Sequence, residues 1–307
     1  LLVLSMLVRT KISGRPVRNV LAVFPDLDFL LASLVVSRIL NVPIFVYLHD
    51  CITETATQIM DKSVSRLAEK WVFSKAVKVY AMSVPMEKYY AARGLKTEAL
   101  PHGVDPSMVR TPTAEPCSKR PRIGYAGAVY DTTGSGIQDL VEAKKLMGGG
   151  IELVFATSQQ SVPYLRMLGV LDSIDHVGTI AKHSEVIDFL ATCDILFVPM
   201  SFEASNAKDL LTIFPTKATD YWLAQRPMIV YGSKDYAYSG LAEKDGYAKV
   251  VTQRGPESIA AAIREVCGSA SLRTKLVERS RDMIEKHDSR RLAQRLMADL
   301  GVSEAKP

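Results

Sequence analysis

Phe214-Pro215-Thr216-Lys217-Ala218-Thr219-Asp220-Tyr221-Trp222-Leu223-Ala224-Gln225-Arg226-Pro227-Met228-Ile229-Val230 reads as loop, helix, tight turn and buried strand. Proline fits the first turn of a helix, where its missing N–H costs nothing. The N–H groups of that turn carry the positive end of the helix dipole and can meet an anion. Thr216 adds a hydroxyl and Lys217 a full positive charge, a set suited to a phosphate or diphosphate. Asp220 lies one helical turn on, along much the same face. A carboxylate there accepts hydrogen bonds from the paired hydroxyls of a sugar. Phosphate at the helix tip and ribose one turn down outline a nucleotide diphosphate site. A common helix start with an ordinary Lys–Asp surface pair, worth a few tenths of a kcal/mol, explains the stretch equally well. The rest of the chain has to separate the two readings.

Working outward, apolar runs of strand length fall at 122–129, 152–157, 176–180, 194–200, 228–231 and 249–252. Helical patterns separate or follow them at 137–147, 162–168, 184–192 (Ser184 as N-cap), 256–266, 272–287 and 289–300. Residues 131–136 read as a Gly/Thr loop. The first half repeats the plan, with strands at 19–25, 43–48, 78–83 and 97–100 and helices at 1–11, 28–40 (capped by Asp26 or Asp28), 61–76 and 84–93. Alternating strands and helices of this length imply parallel sheets covered on both faces. Residues 111–121 are polar, carry three prolines, and have linker composition. The expected fold is therefore α/β, with two Rossmann-like parallel-sheet domains, 1–112 and 119–288, the first incomplete. Leu292, Leu296 and Leu300 recur at four-residue spacing after a complete second sheet and need an apolar partner. The expectation is that helix 289–302 completes the first domain.

The 307 residues suffice for two ordinary domains, and 48% hydrophobic with 23% charged residues is a globular profile. A net charge of +5, with no dense Lys/Arg run, gives no reason to expect nucleic acid. Cys51, Cys117, Cys193 and Cys267 are scattered without CxxC spacing and read as reduced thiols, not a zinc site or disulfide framework. No metal ligand cluster and no cofactor is expected, and the expected location is cytoplasmic. No stretch approaches the ~18 consecutive apolar residues of a membrane span. Lys70, Lys75, Lys78, Lys88 and Arg93 give the first half a basic face, compatible with peripheral attachment to the inner face of a membrane or with plain solvation. The chain opens without Met, and an N-terminal truncation is expected.

Four landmarks, in this order, resemble the GT-B glycosyltransferases, most closely their retaining family numbered four. They are His49-Asp50 after a strand, Pro101-His102-Gly103-Val104-Asp105, Gly124-Tyr125-Ala126-Gly127, and the opening stretch Phe214 to Pro227. The resemblance implies a hexosyltransferase-like enzyme. It would move a sugar from a nucleotide diphosphate sugar to a hydroxyl of a glycan, lipid-linked or small-molecule acceptor. Retention of anomeric configuration, metal independence and a place in polysaccharide or glycoconjugate synthesis are further implications. Position by position, Gly127, Thr216 and Lys217 would meet the donor diphosphate and Asp220 the ribose. His49 would approach the sugar and reacting phosphate as the catalytic residue, and Ser201 and Glu203 would face the donor sugar. The chain end would return to the first domain.

The pattern also departs from the family. Ala128 stands where many relatives carry Arg, and Thr212 where they carry Glu eight residues before the ribose carboxylate. These departures keep a second expectation open, a non-catalytic nucleotide- or sugar-binding subunit or inactive homologue. A dinucleotide-dependent oxidoreductase is disfavoured, because no strand leads into GxGxxG with an acid ~20 residues later.

Overall fold

The computed structural model describes residues 2–14, 16–56, 62–111, 117–203, 212 and 214–302. They form two compact units. The first comprises Leu1–His102, Thr212–Phe214 and Leu292–Pro307. Four parallel strands lie in sequence order: β1 (Val20–Phe24), β2 (Ile44–Leu48), β3 (Lys78–Ala81) and β4 (Glu98–Ala99). Branched and aromatic side chains suit these short runs to a buried sheet, and Phe24, Val46, Leu48 and Tyr80 are buried in it. The helix Leu27–Leu40 starts at Asp26, whose carboxylate accepts the Phe29 N–H at 3.0 Å. It ends at Asn41, which adopts the left-handed conformation with φ 51°. β1 is an edge strand, and Leu21 and Val23 on it are exposed together with Leu31, Val35 and Ile39 of the helix.

The final helix, Ser289–Asp299, runs into this unit. Leu292, Leu296 and Leu300 pack against buried Phe45, Tyr80 and Leu100. Polar contacts frame the seam. The Asp299 carboxylate accepts from Lys78 Nζ at 2.6 Å and from Tyr80 OH at 2.8 Å, and Arg295 pairs with Glu98.

The second unit comprises Gly103–Leu211 and Pro215–Arg291. Its strands are β5 (Arg122–Ala126), β6 (Glu152–Ala156), β7 (His176–Gly178), β8 (Ile195–Pro199), β9 (Met228–Tyr231) and β10 (Lys249–Val251). All pair in parallel, in the order β10-β9-β8-β5-β6-β7. The chain moves outward from β5 through β6 to β7, then returns to the other side of β5 as β8. A crevice lies beyond the carboxyl ends of β5, β6 and β7, the end of such a sheet where ligands usually sit. Beneath it lies a core that includes Ile123, Leu153, Phe155, Ile195, Phe197 and Ile229, closed by Ile259 and Ile263 of the helix Pro256–Gly268.

Three local expectations change. The residues read as a loop at 131–136 begin the helix Asp131–Leu146. Thr133 closes a cap by accepting the Tyr130 N–H at 3.1 Å. A Cβ on Gly136 would stand 2.7 Å from Pro199 Cβ, so glycine here lets the helix lie close on β8. Ser184 is not an N-cap: the helix His183–Ala191 starts one residue earlier, after Lys182. Residues 103–110 pack with the second unit: Val104 N–H donates to His287 O at 2.8 Å, and Arg110 N–H to Leu223 O at 2.8 Å. Of the expected linker, residues 112–116 lie outside the described residues. Among the described residues no helix is long and apolar enough to cross a membrane.

Candidate functional site

The crevice of the second unit is a cleft of about 650 Å³. Three loops and two helices build it. Ala126, Gly127 and Ala128 leave β5, Ala156, Thr157 and Ser158 leave β6, and Thr179 and Ile180 leave β7. The helix Lys217–Ala224 contributes Lys217, Thr219 and Asp220, with Thr216 just before it. His183 and Val186 close the far side.

Gly127 turns the first loop at φ 134°, a conformation that side chains rarely adopt. Its N–H donates to Ala156 O at 2.9 Å, and its carbonyl accepts from Thr157 Oγ1 at 2.7 Å. Thr179 Oγ1 in turn donates to Thr157 O at 2.9 Å, so the three loops are laced together. Below them Tyr221 OH accepts the Ala126 N–H at 2.9 Å and ties the helix Lys217–Ala224 to β5.

That helix starts at Lys217, and Pro215 stands just outside it. Pro215 O and Thr216 O accept the N–H groups of Ala218 and Thr219, at 2.9 and 3.1 Å. The Thr216 side chain makes no capping bond and is exposed at the cleft rim. Lys217 turns inward. Its Nζ donates to Tyr125 OH at 2.9 Å and lies 4.5 Å from the centre of the Tyr125 ring. A Cβ on Gly127 would stand 3.2 Å from Lys217 Cε, so the glycine leaves room for the lysine stem. Among the described residues no carboxylate pairs with Lys217. Burial lowers its pKa from 10.5 to about 8, opposed only by Tyr130. A cation held in a cleft without an acidic partner is a ready anion site.

Asp220 faces the same cleft, and its Oδ1 lies 2.6 Å from His183 Nε2. Burial raises the Asp220 pKa, and the hydrogen bond and charge of His183 oppose the rise. Gly127, Thr216, Lys217 and Asp220 thus come together. Ser201 and Glu203 do not line this cleft. Ser201 is buried, its N–H donates to Thr132 O at 2.7 Å, and its Oγ accepts the Glu203 N–H at 3.0 Å. Glu203 is exposed and pairs with Arg254 at 2.7 Å.

His49 belongs to the first unit, one residue beyond β2. Its ring meets Tyr47 and His102 edge-on, with centroids 4.5 and 5.0 Å away. Burial lowers its pKa, with Asp50 acting the other way, so the ring is biased toward the neutral imidazole. Thr212 is buried in the same unit, 3.5 Å from Cys51 Sγ. Sequence reasoning assigned no role to His183, and none to Tyr125 beyond its place in the Gly124–Gly127 landmark. His183 follows a strand end by five residues, a placement that could have singled it out. Tyr125 reads as core, and its hydroxyl becomes relevant only through Lys217.

No family model and no curated protein matches the sequence. Solved structures do match the fold. HepE from Anabaena, in complex with UDP-glucose, is 15% identical, with 92% of this chain and 78% of that chain covered and a TM-score of 0.68. A glycosyltransferase from Rickettsia africae is 14% identical over 96% of this chain and 79% of its own, with a TM-score of 0.68. A putative UDP-N-acetylglucosamine 2-epimerase from Listeria monocytogenes is 12% identical over 97% and 77%, with a TM-score of 0.61. At such identities the likeness carries the fold alone. The architecture, an α/β chain with two parallel-sheet units, is the GT-B fold.

Proposed function

We propose that the protein is a glycosyltransferase that uses a nucleotide diphosphate sugar as donor. The observation that carries this reading is Lys217, an ammonium group turned into the cleft with no acidic partner among the described residues, one helical turn before Asp220. Lys217, Thr216 and the open end of the helix meet the diphosphate, and Gly127 admits it close to the backbone. Asp220 accepts from the ribose hydroxyls. The glycosidic bond from the sugar C1 to the diphosphate breaks, and the diphosphate oxygen keeps the electron pair. A bond from C1 to the acceptor oxygen forms, and the acceptor hydroxyl loses its proton. Positive groups fixed where the leaving charge grows lower the barrier more than they tighten ground-state binding.

One solved neighbour holds UDP-glucose and another is named a glycosyltransferase, which supports a nucleotide-sugar donor and a transfer reaction. The four sequence landmarks extend the proposal to retention of configuration, metal-independent transfer, polysaccharide or glycoconjugate synthesis, and a catalytic contact for His49. A glycan or lipid-linked hydroxyl is the acceptor class, and a lipid-linked acceptor would favour peripheral attachment through the basic first unit.

The UDP-linked epimerase name in the same set motivates a second reading, in which the donor sugar is rearranged and not transferred. Incubation with UDP-glucose or UDP-N-acetylglucosamine, with and without glycan acceptors, separates them by mass spectrometry and NMR. Acceptor-dependent UDP release with a glycosylated product supports transfer. Isomerised UDP-sugar without acceptor supports epimerisation. Tight UDP binding with neither product leaves a binding subunit.

A further inference from the structure

His183 is the first residue of the helix His183–Ala191, whose buried residues are Ile187 and Leu190. Its own side chain is 59% exposed, so core packing does not hold it in place. What it does touch is Asp220, which lies 37 residues away in sequence, at 2.6 Å. With Nε2 protonated, the imidazole donates to Oδ1. Among the described residues Oδ2 has no protein partner. A carboxylate on a short side chain rotates freely about its last bond. One donor on Oδ1 restrains that rotation and leaves Oδ2, with the second lone pair of Oδ1, able to accept, on a residue that lines the cleft. Two neighbouring acceptors at fixed spacing match the two hydroxyls of a vicinal diol.

We propose that His183 is a positioning residue that holds Asp220 as an acceptor pair for the ribose diol, so that the cleft selects ribonucleoside diphosphates over deoxy forms. The proposal rests on the nucleotide-diphosphate reading of the cleft. His183 gains no contact with the phosphates in this scheme, and its effect is confined to ligands that carry both hydroxyls. Lost preorganisation appears in affinity, because an unrestrained carboxylate must be ordered when the ligand binds.

The test is calorimetry of UDP and of 2′,3′-dideoxyuridine 5′-diphosphate on the parent, His183→Ala, His183→Gln and Lys217→Met proteins. His183→Ala should weaken UDP about 3- to 10-fold, the range of one hydrogen bond. It should leave the dideoxy ligand within about twofold. His183→Gln presents an amide N–H at a similar reach and should recover most of the UDP affinity. Unchanged or tighter UDP binding by His183→Ala overturns the proposal, as does an equal loss for both ligands. UDP binding that depends on Lys217 but ignores His183 sinks the diol role alone. A parent protein that binds no UDP overturns this inference together with the nucleotide reading.

Discussion

Lys217→Met should stabilise the fold while weakening nucleotide binding. Methionine matches the length of the lysine stem and carries no charge. The drop of the lysine pKa from 10.5 to about 8 corresponds to about 3 kcal/mol against the charged form at neutral pH. Water at the cleft rim screens part of this, leaving about 2 kcal/mol. The variant also loses the hydrogen bond to Tyr125 OH, worth about 1 kcal/mol. The net expectation is about 1 kcal/mol of added stability at pH 7. The pH dependence identifies the cause. Lys217 has its pKa lowered by folding, so between pH ~8 and ~10.5 the unfolded chain binds more protons. Parent stability therefore rises with pH across that window relative to the variant, and the penalty is fully present below it. Urea unfolding of both proteins at pH 7 and at pH 9.5 reads the difference. Calorimetry at pH 7 reads the cost to function, at least a tenfold loss of UDP affinity, the scale of a charged hydrogen bond. A variant that is less stable than the parent by an amount independent of pH would refute the claim of an uncompensated cation. Unchanged UDP affinity would remove Lys217 from the anion site.

Gly127→Ala should destabilise by about 1–3 kcal/mol and weaken UDP binding, because φ 134° strains any side chain and the added Cβ presses on Lys217 Cε. Thermal melting and calorimetry on the same sample check both halves. In the parent, UDP affinity should fall above pH ~8 as free Lys217 loses its proton, by up to about tenfold per pH unit. Transfer should survive EDTA, since Lys217 and the helix end would stabilise the leaving diphosphate; abolition with rescue by Mn²⁺ would point to a metal. Truncation after His287 should leave UDP binding intact but lower solubility, because Phe45, Tyr80 and Leu100 lose their cover. A fully soluble truncated protein with unchanged melting would contradict that packing.

Strand positions were legible because β2, Ile44-Phe45-Val46-Tyr47-Leu48, and β8, Ile195-Leu196-Phe197-Val198-Pro199, are apolar throughout, as strands covered on both faces require. The helix over 131–136 was not legible. Thr132, Thr133, Gly134 and Gly136 are poor helix formers, and their advantage is space: Gly136 lies against Pro199 and Gly134 against Tyr164. Only the folded unit supplies those neighbours, Pro199 from β8 and Tyr164 from the helix Ser161–Met167. The cluster of Gly127, Thr216, Lys217 and Asp220 was readable from a strand-loop and a helix start. The state of each group was not. Whether Lys217 is a surface charge or a half-buried cation depends on Tyr125, which is 92 residues away. Ser201 and Glu203 illustrate the converse. A polar loop suggests a ligand, yet here Ser201 Oγ holds the Glu203 backbone and Glu203 holds Arg254. Asp26 was legible as a helix cap, and its carboxylate accepts the Phe29 N–H as expected.

The seam of Leu292, Leu296 and Leu300 on β2 and β3 bears on how the protein is made. Synthesis is vectorial, and domains fold as units while the chain emerges. Everything the second unit needs, through Arg291, has left the ribosome before the first unit receives these leucines. The second unit can therefore close while the first waits with Phe45 and Tyr80 uncovered. A chain that stops before Leu292 would leave Phe45, Tyr80 and Leu100 uncovered, so the loss would fall on strands far back in the sequence. A nascent-chain proteolysis series should show protection of the β5–β10 sheet at shorter lengths than protection of the β1–β4 sheet.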